Sequence, residues 1–402
     1  MKGEPWETDQ WLTSQMNFIP EVREALSLPE RISVHDATLR DGEQTPGVVF
    51  RREEKVRIAQ LLAELGVDRI EAGMPAVSRE DYEAIKEIVN LKLPVKVMGF
   101  CRAMPGDIDK VAECGADGII LEIASGDPKI KHQFKWTEEK IIEKSIAAIK
   151  YAKECGLYVT YFPFDTTRAR LPFLERLLKE VMNESPPDSI AVVDTTGSII
   201  PRAMHYLVKF VKAIVNVPVE VHTHNDFGMG TATTLAAVEA GAEVVHVCAN
   251  GLGERCGNTS LDEVVIALKT LYNYEMPGIK FEKLYSVAEE IAKIARLPIS
   301  PNKAVVGPLA FTREIGLGME TLETAPLAIF PFLPSFVGQD MRIVLGKKSG
   351  KASIRMKLNE LNIKADDSKV EEMLAMVKDK GTQEKRCLTP DEFDQIIKGV
   401  LL

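Results

Sequence analysis

Three short segments of this 402-residue chain bring together residue types that do chemistry in combination. The first, HDATLRDGEQTPG (35–47), crowds Asp36, Arg40, Asp41, Glu43 and Gln44 around one turn. The second is HTHND (222–226) and the third NGLGERCGN (250–258). Residues two apart in a strand share a face, so His222 and His224 aim at one point while Thr223 faces away. Two imidazoles and one carboxylate are a donor set for a divalent metal. With the first strand beside the last in a closed barrel, Asp36, the histidine pair and the loop holding Asn258 converge. An H-x-H pair alone would be a buried hydrogen-bonded couple, and the charged turn alone a solvated loop. Together they point to a metal centre. Gly251 and Gly253 hint at a dinucleotide loop, but Cys256 stands where a third glycine would be needed.

These segments need rigid elements to position them. Between residues 32 and 273 the chain alternates β-rich runs with amphipathic stretches of helical period such as Arg52 to Leu65 and Thr137 to Glu154. The runs lie at 32–38, 68–73, 95–100, 118–124, 157–162, 189–194, 219–224 and 243–248. Eight strand-helix units predict an α/β fold, a (β/α)8 TIM barrel, with a C-terminal lid and a small helical subdomain. Such barrels carry reacting groups at the C-terminal ends of their strands, where all three segments fall. The expected divisions are a leader over 1–31, the barrel over 32–275, and the lid and helical subdomain over 276–402. Leu297 to Gly350 reads as irregular, and residues 366–402 as two helices, the last capped by Thr389 ahead of Pro390.

Composition narrows the partners. Fifty Lys plus Arg against fifty-nine Asp plus Glu give a net charge of -9, which disfavours nucleic acid and anionic membrane surfaces. No apolar run approaches the roughly 20 residues that span a bilayer, and Met1 to Gln10 lacks the pattern of a signal peptide. Six scattered cysteines without a C-x-x-C pair suggest reduced thiols and a cytoplasmic protein.

DATLRDGEQTPG, HTHNDFGMG, NGLGERCGN and GKKSG (346–350) together resemble the homocitrate synthase and 2-isopropylmalate synthase family, over about residues 32 to 355. That family belongs to a metallolyase superfamily of TIM barrels that also holds hydroxymethylglutaryl-CoA lyase. The resemblance implies a divalent cation (Mg, Mn, Zn or Co) on Asp36, His222 and His224, with Asn258 close or coordinating. It implies Arg40 beside the reacting carbonyl, and Gln44, Glu71, Arg102 and Thr195 or Thr196 around the substrate. The implied reaction is an acyltransferase one: a Claisen-type condensation of an acyl-CoA with a 2-oxo acid, giving a 2-hydroxy diacid and CoA, in a homodimer. Only residues 351–402 follow GKKSG, so no leucine feedback through a further regulatory domain is expected.

The chain departs from the family pattern at its proton-transfer groups. FPFDTTR places Phe164 where an acid usually precedes Asp165, IASGDPK places Lys129 where a histidine is common, and the stretch FTREIGLG (311–318) has no histidine. Glu122, Tyr161 and Glu314 are the candidate replacements for the base, with Glu122 favoured over Glu314 because a strand end is more rigid than a lid. The alternatives are an acyl-CoA lyase of the hydroxymethylglutaryl-CoA lyase type, a non-haem iron oxygenase using two histidines and a carboxylate, and a degenerate paralogue without activity.

Overall fold

The computed structural model describes residues 4–401. Each predicted run becomes a strand: β1 Ser33–Asp36, β2 Arg69–Glu71, β3 Lys96–Arg102, β4 Gly118–Ala124, β5 Tyr158–Phe164, β6 Ser189–Asp194, β7 Val219–Thr223 and β8 Val244–Val247. They pair in sequence order, all parallel, and β1 closes on β8 with Asp36 opposite Val247. The result is a (β/α)8 barrel.

The interior has two characters. Strands β3 to β6 fill their half with Met98, Phe100, Ile120, Phe162, Phe164, Ala191 and Val193. Strands β1, β2, β7 and β8 instead bury His35, Arg69, Glu71, Glu220, His222 and His246. Buried ionisable groups need partners. Arg69 Nη2 lies 2.5 Å from Glu220, and His246 Nε2 2.6 Å from the same carboxylate. The His246 ring stacks on His35 at 4.1 Å, and His35 Nε2 is 2.9 Å from Glu71. Glu71 accepts from Arg40 Nε. A chain of ion pairs and rings thus runs through this half of the barrel and ends at Arg40.

The described chain falls into two compact units, one of 16–298 and the other of 4–15 with 299–401. The helix Leu284–Ala295 packs on Arg52–Leu65, where Arg57 forks onto Glu290 at 2.7 and 3.1 Å, and so belongs with the barrel. Residues 16–31 also stay with the barrel unit: Ser27 N donates to Glu239 O, and Tyr274 OH to Pro29 O. In the other unit, the helices Lys351–Glu360, Asp367–Glu384 and Pro390–Leu401 share a core of Ile354, Val370, Met373, Phe393 and Ile397. Thr389 caps the last of them as expected, accepting from Glu392 N at 3.3 Å.

The loop after β1 is held from below by a lysine that the sequence reading passed over. Lys55 is fully buried, donates to Leu39 O at 3.2 Å, and pairs with Glu43 and Asp81 at 2.6 Å each. Lys55→Ala leaves two carboxylates without their shared cation. It should destabilise the barrel by about 3 kcal/mol, read as a lowered thermal midpoint; an unchanged midpoint would show that the loop holds itself.

Candidate active site

The carboxylate that meets the two histidines is Asp41, not Asp36. His222 Nε2 lies 3.2 Å and His224 Nε2 3.9 Å from Asp41 Oδ2. Asp36 is turned away by the alternation that aligns the histidines: His35 points into the barrel, so its neighbour Asp36 points out. There its Oδ1 accepts from Thr38 N at 2.8 Å, and burial pushes its carboxyl up to about 7. Asp36 thus braces the turn. That turn folds back tightly, the N–H groups of Arg40, Asp41 and Gly42 all facing Ala37 O, and this brings Asp41 over the barrel opening.

Donors converge here without a matching number of protons. Asp41 Oδ1 and Asn258 Oδ1 are buried and have no hydrogen-bond partner among the described residues. Burial opposes ionisation of Asp41, yet Arg40 and then His222 hold its carboxyl well below the usual range. Burial pushes His224 down to about 4, so its ring is neutral and offers a lone pair. Asn258 is bridged to His224 through the backbone and spends its Nδ2 on Leu252 O at 3.2 Å, leaving Oδ1 free. Gly253 makes room for it: at φ +153 a Cβ would stand 2.2 Å from Asn258 Nδ2. This oxygen and nitrogen set fits a divalent cation.

Arg40 sits next to the cluster, 3.0 Å from Asp41 through Nη1, with its guanidinium carbon 4.0 Å from the centre of the Phe100 ring. Burial works against its charge, but Asp41 and Glu71 raise its pKa above the ordinary value. Its Nη2 is buried and has no partner among the described residues. Glu71 is fully buried beneath it and spoken for by Arg40 and His35, and its carboxyl is held down at about 2. Burial opposes that shift, and Arg40 and His35 outweigh it. Glu71 therefore supports Arg40 and does not line the cavity.

The cavity at this end measures about 690 Å3 and is lined by Arg40, Asp41, Gln44, Arg102, Glu122, Thr195 and both histidines. Arg102 forks onto Asp107 at 2.7 and 3.0 Å. Thr195 Oγ1 accepts from Asp165 N. Thr196 is outside the lining and pairs with Ser198. Burial pushes Glu122 up to about 7, with Arg40 drawing it down and Asp41 and Glu71 adding to the rise. Tyr161 turns outward, its hydroxyl 2.9 Å from Ser145 Oγ, and is no base here. Glu314, in the other unit, accepts from Lys348 N at 3.0 Å and lies 3.7 Å from Lys348 Nζ. The sequence reading missed His35, His246 and Glu220. An ionisable residue at an inward position of a barrel strand was the available sign.

The HMGL-like family matches residues 31–291, and the homocitrate synthase post-HMGL domain-like family matches residues 305–385. The chain belongs to the HMGL-like family. Among its relatives is homocitrate synthase AksA of Methanopyrus kandleri, 40% identical over 95% of this chain and 96% of that one. Another is a 2-isopropylmalate synthase of Methanocaldococcus jannaschii, 41% identical over 96% of this chain and 74% of that one. A hydroxymethylglutaryl-CoA lyase of Bacillus subtilis shares the fold, with a TM-score of 0.61 at 17% identity over 68% of this chain and 97% of that one. Membership in this family, with synthases among its relatives, sets the oxygenase reading aside. No helix among the described residues is long and apolar enough to cross a membrane.

The two aspartates can be told apart by metal content. Asp41→Asn and His224→Ala should each weaken binding of a divalent cation by at least about 10-fold, whereas Asp36→Asn should retain it, by elemental analysis after dialysis. Equal loss in Asp36→Asn and Asp41→Asn would return Asp36 to the ligand set.

Proposed function

We propose that this protein condenses an acyl-CoA, in the first place acetyl-CoA, with a 2-oxo acid, giving a 2-hydroxy diacid and free CoA. The observation that carries the reading is the meeting of Asp41, His222 and His224 with Arg40 at the open end of the barrel. Asp41, His222, His224 and Asn258 would hold a divalent cation, Mg, Mn, Zn or Co, which supplies Lewis-acid polarisation of a bound carbonyl.

The chain's own groups account for the remaining demands. Arg40 keeps Nη2 for a substrate oxygen and stabilises the charge that grows on it during attack. Glu71 and His35 fix its orientation, so little reorganisation is needed at that moment. Gln44, Arg102 and Thr195 offer polar contacts at the wall. Glu122 removes a proton from the acyl-CoA methyl, because it lines the same cavity and its pKa of about 7 suits a base at neutral pH. The new carbon-carbon bond forms at the carbonyl carbon, and water then cleaves the thioester. Glu314 is the weaker candidate, since its carboxylate is engaged by Lys348. A homodimer and a cytoplasmic location belong to the same reading; the six cysteines, all unpaired, suit a reducing compartment.

Thiol release from acetyl-CoA, measured with pyruvate, 2-oxoisovalerate, 2-oxoglutarate and oxaloacetate and with each divalent metal, tests the function. Release with at least one 2-oxo acid is expected. Silence across the panel with cleavage of a 3-hydroxyacyl-CoA would give the lyase reading first place.

Glu122 has its own signature. A base must be deprotonated, so turnover should rise with pH through about 7 and then level off. Glu122→Gln should lower turnover by roughly 100-fold and remove that limb. Near-normal turnover in Glu122→Gln with loss in Glu314→Gln would move the base to Glu314, and no loss in either would assign the proton to water.

A further inference from the structure

Two of the cations lining the active-site cavity are already matched by carboxylates. Arg40 lies between Asp41 and Glu71, and Arg102 forks onto Asp107. Lys129 and Lys144 line the same cavity and make no ion pair among the described residues. Their ammonium groups rest over aromatic faces, Lys129 Nζ 6.0 Å from the centre of the Phe164 ring and Lys144 Nζ 5.3 Å from that of Trp136. Lys129 is not carried on a loose loop. It opens the π-type turn Lys129–Phe134 after β4, where Ile130 is buried and donates its N–H to Gly126 O at 3.0 Å.

The rest of this wall is apolar, with Phe134, Phe162 and Phe164 among its members. A 2-oxo acid bound through its keto-acid end at Arg40 and the Asp41 cluster must place its side chain somewhere in this remaining space. A purely apolar side chain would remove water from an ammonium group and give it no partner, which costs free energy. A side chain of methylenes ending in a carboxylate packs on the phenyl rings and supplies the missing partner as a charge-assisted hydrogen bond.

We propose that Lys129, steadied by Phe164, selects the side chain of the 2-oxo acid, and that the side chain it selects ends in a carboxylate. The inference rests on the condensation reading above. A phosphate of the acyl-CoA is the other anion that could meet such a lysine, and the test separates the two.

Turnover would be compared for 2-oxoglutarate and 2-oxoisovalerate in the metal-loaded full chain, with calorimetric binding of 2-oxoglutarate in the absence of acyl-CoA. The native protein should favour 2-oxoglutarate. Lys129→Met should lower the ratio of kcat/KM for 2-oxoglutarate to that for 2-oxoisovalerate by roughly 10- to 100-fold, and weaken 2-oxoglutarate binding by a similar factor. Lys129→Arg, which keeps the charge, should restore most of both. Preference of the native protein for 2-oxoisovalerate, an equal loss on both substrates, or a rise in KM confined to acetyl-CoA would each overturn the proposal. Lys129-dependent binding of 2-oxoglutarate without thiol release would support it while overturning the condensation reading.

Discussion

A buried arginine has to be paid for with carboxylates, and in this barrel that requirement organises the whole active end. Arg40 is less than one-tenth exposed and lies between Asp41 and Glu71. Removing either partner would strand a charge in low dielectric, at a cost of several kcal/mol. Each partner is held by a second group: Asp41 by the histidine pair and Glu71 by His35. His35 stacks on His246, which leans on Glu220 and through it on Arg69. The orientation of one guanidinium is thus fixed through most of the polar half of the barrel.

This explains why the interior is divided and not uniformly apolar. A barrel of this kind is a packed core, usually filled by branched aliphatic side chains. Here β3 to β6 keep that character, and the ion chain occupies β1, β2, β7 and β8. The polar half makes the reacting end rigid, because each of its side chains has a specific hydrogen-bond geometry to satisfy. The apolar half leaves a smooth wall against which a substrate side chain can lie. Loops from the polar half are tied to each other as well: Thr38 Oγ1 accepts from Ala249 N, and Thr45 Oγ1 both accepts from Gly253 N and donates to Gly253 O.

The eight strands were legible because each is a short β-rich run set off by a helix of clear period, and two-residue alternation correctly paired His222 with His224. The same rule, applied to His35 and Asp36, would have turned Asp36 away from the site. It was not decisive there because Asp41 lies beyond the strand, in a turn whose fold depends on Lys55 and on the carbonyl of Ala37. Contacts between distant segments set that geometry, and no local pattern reports them. Glu71 was misplaced for a related reason: its position at a strand end is visible in the sequence, but its use as the partner of Arg40 and His35 is not. The packing of helix 284–295 on helix 52–65 is likewise a contact between distant segments.

The departures from the family pattern make sense once their places are known. Phe164 and Lys129, far apart in sequence, face each other across one wall of the cavity, while Asp41, His222, His224 and Arg40 stand in the polar half. An acid at position 164 would neutralise the ammonium of Lys129 and leave it nothing to offer a ligand. A phenyl ring holds the same ammonium by its quadrupole, and its charge stays available. Phe164 and Lys129 therefore act as one, in a part of the wall that does not touch the groups that would polarise a carbonyl. Loss of function would be expected to damage both halves alike, because nothing would maintain the costly burial of Arg40 and its partners. The intact ion chain beside an aromatic wall argues for an enzyme that keeps its polarising groups fixed and leaves the ammonium of Lys129 open to a ligand.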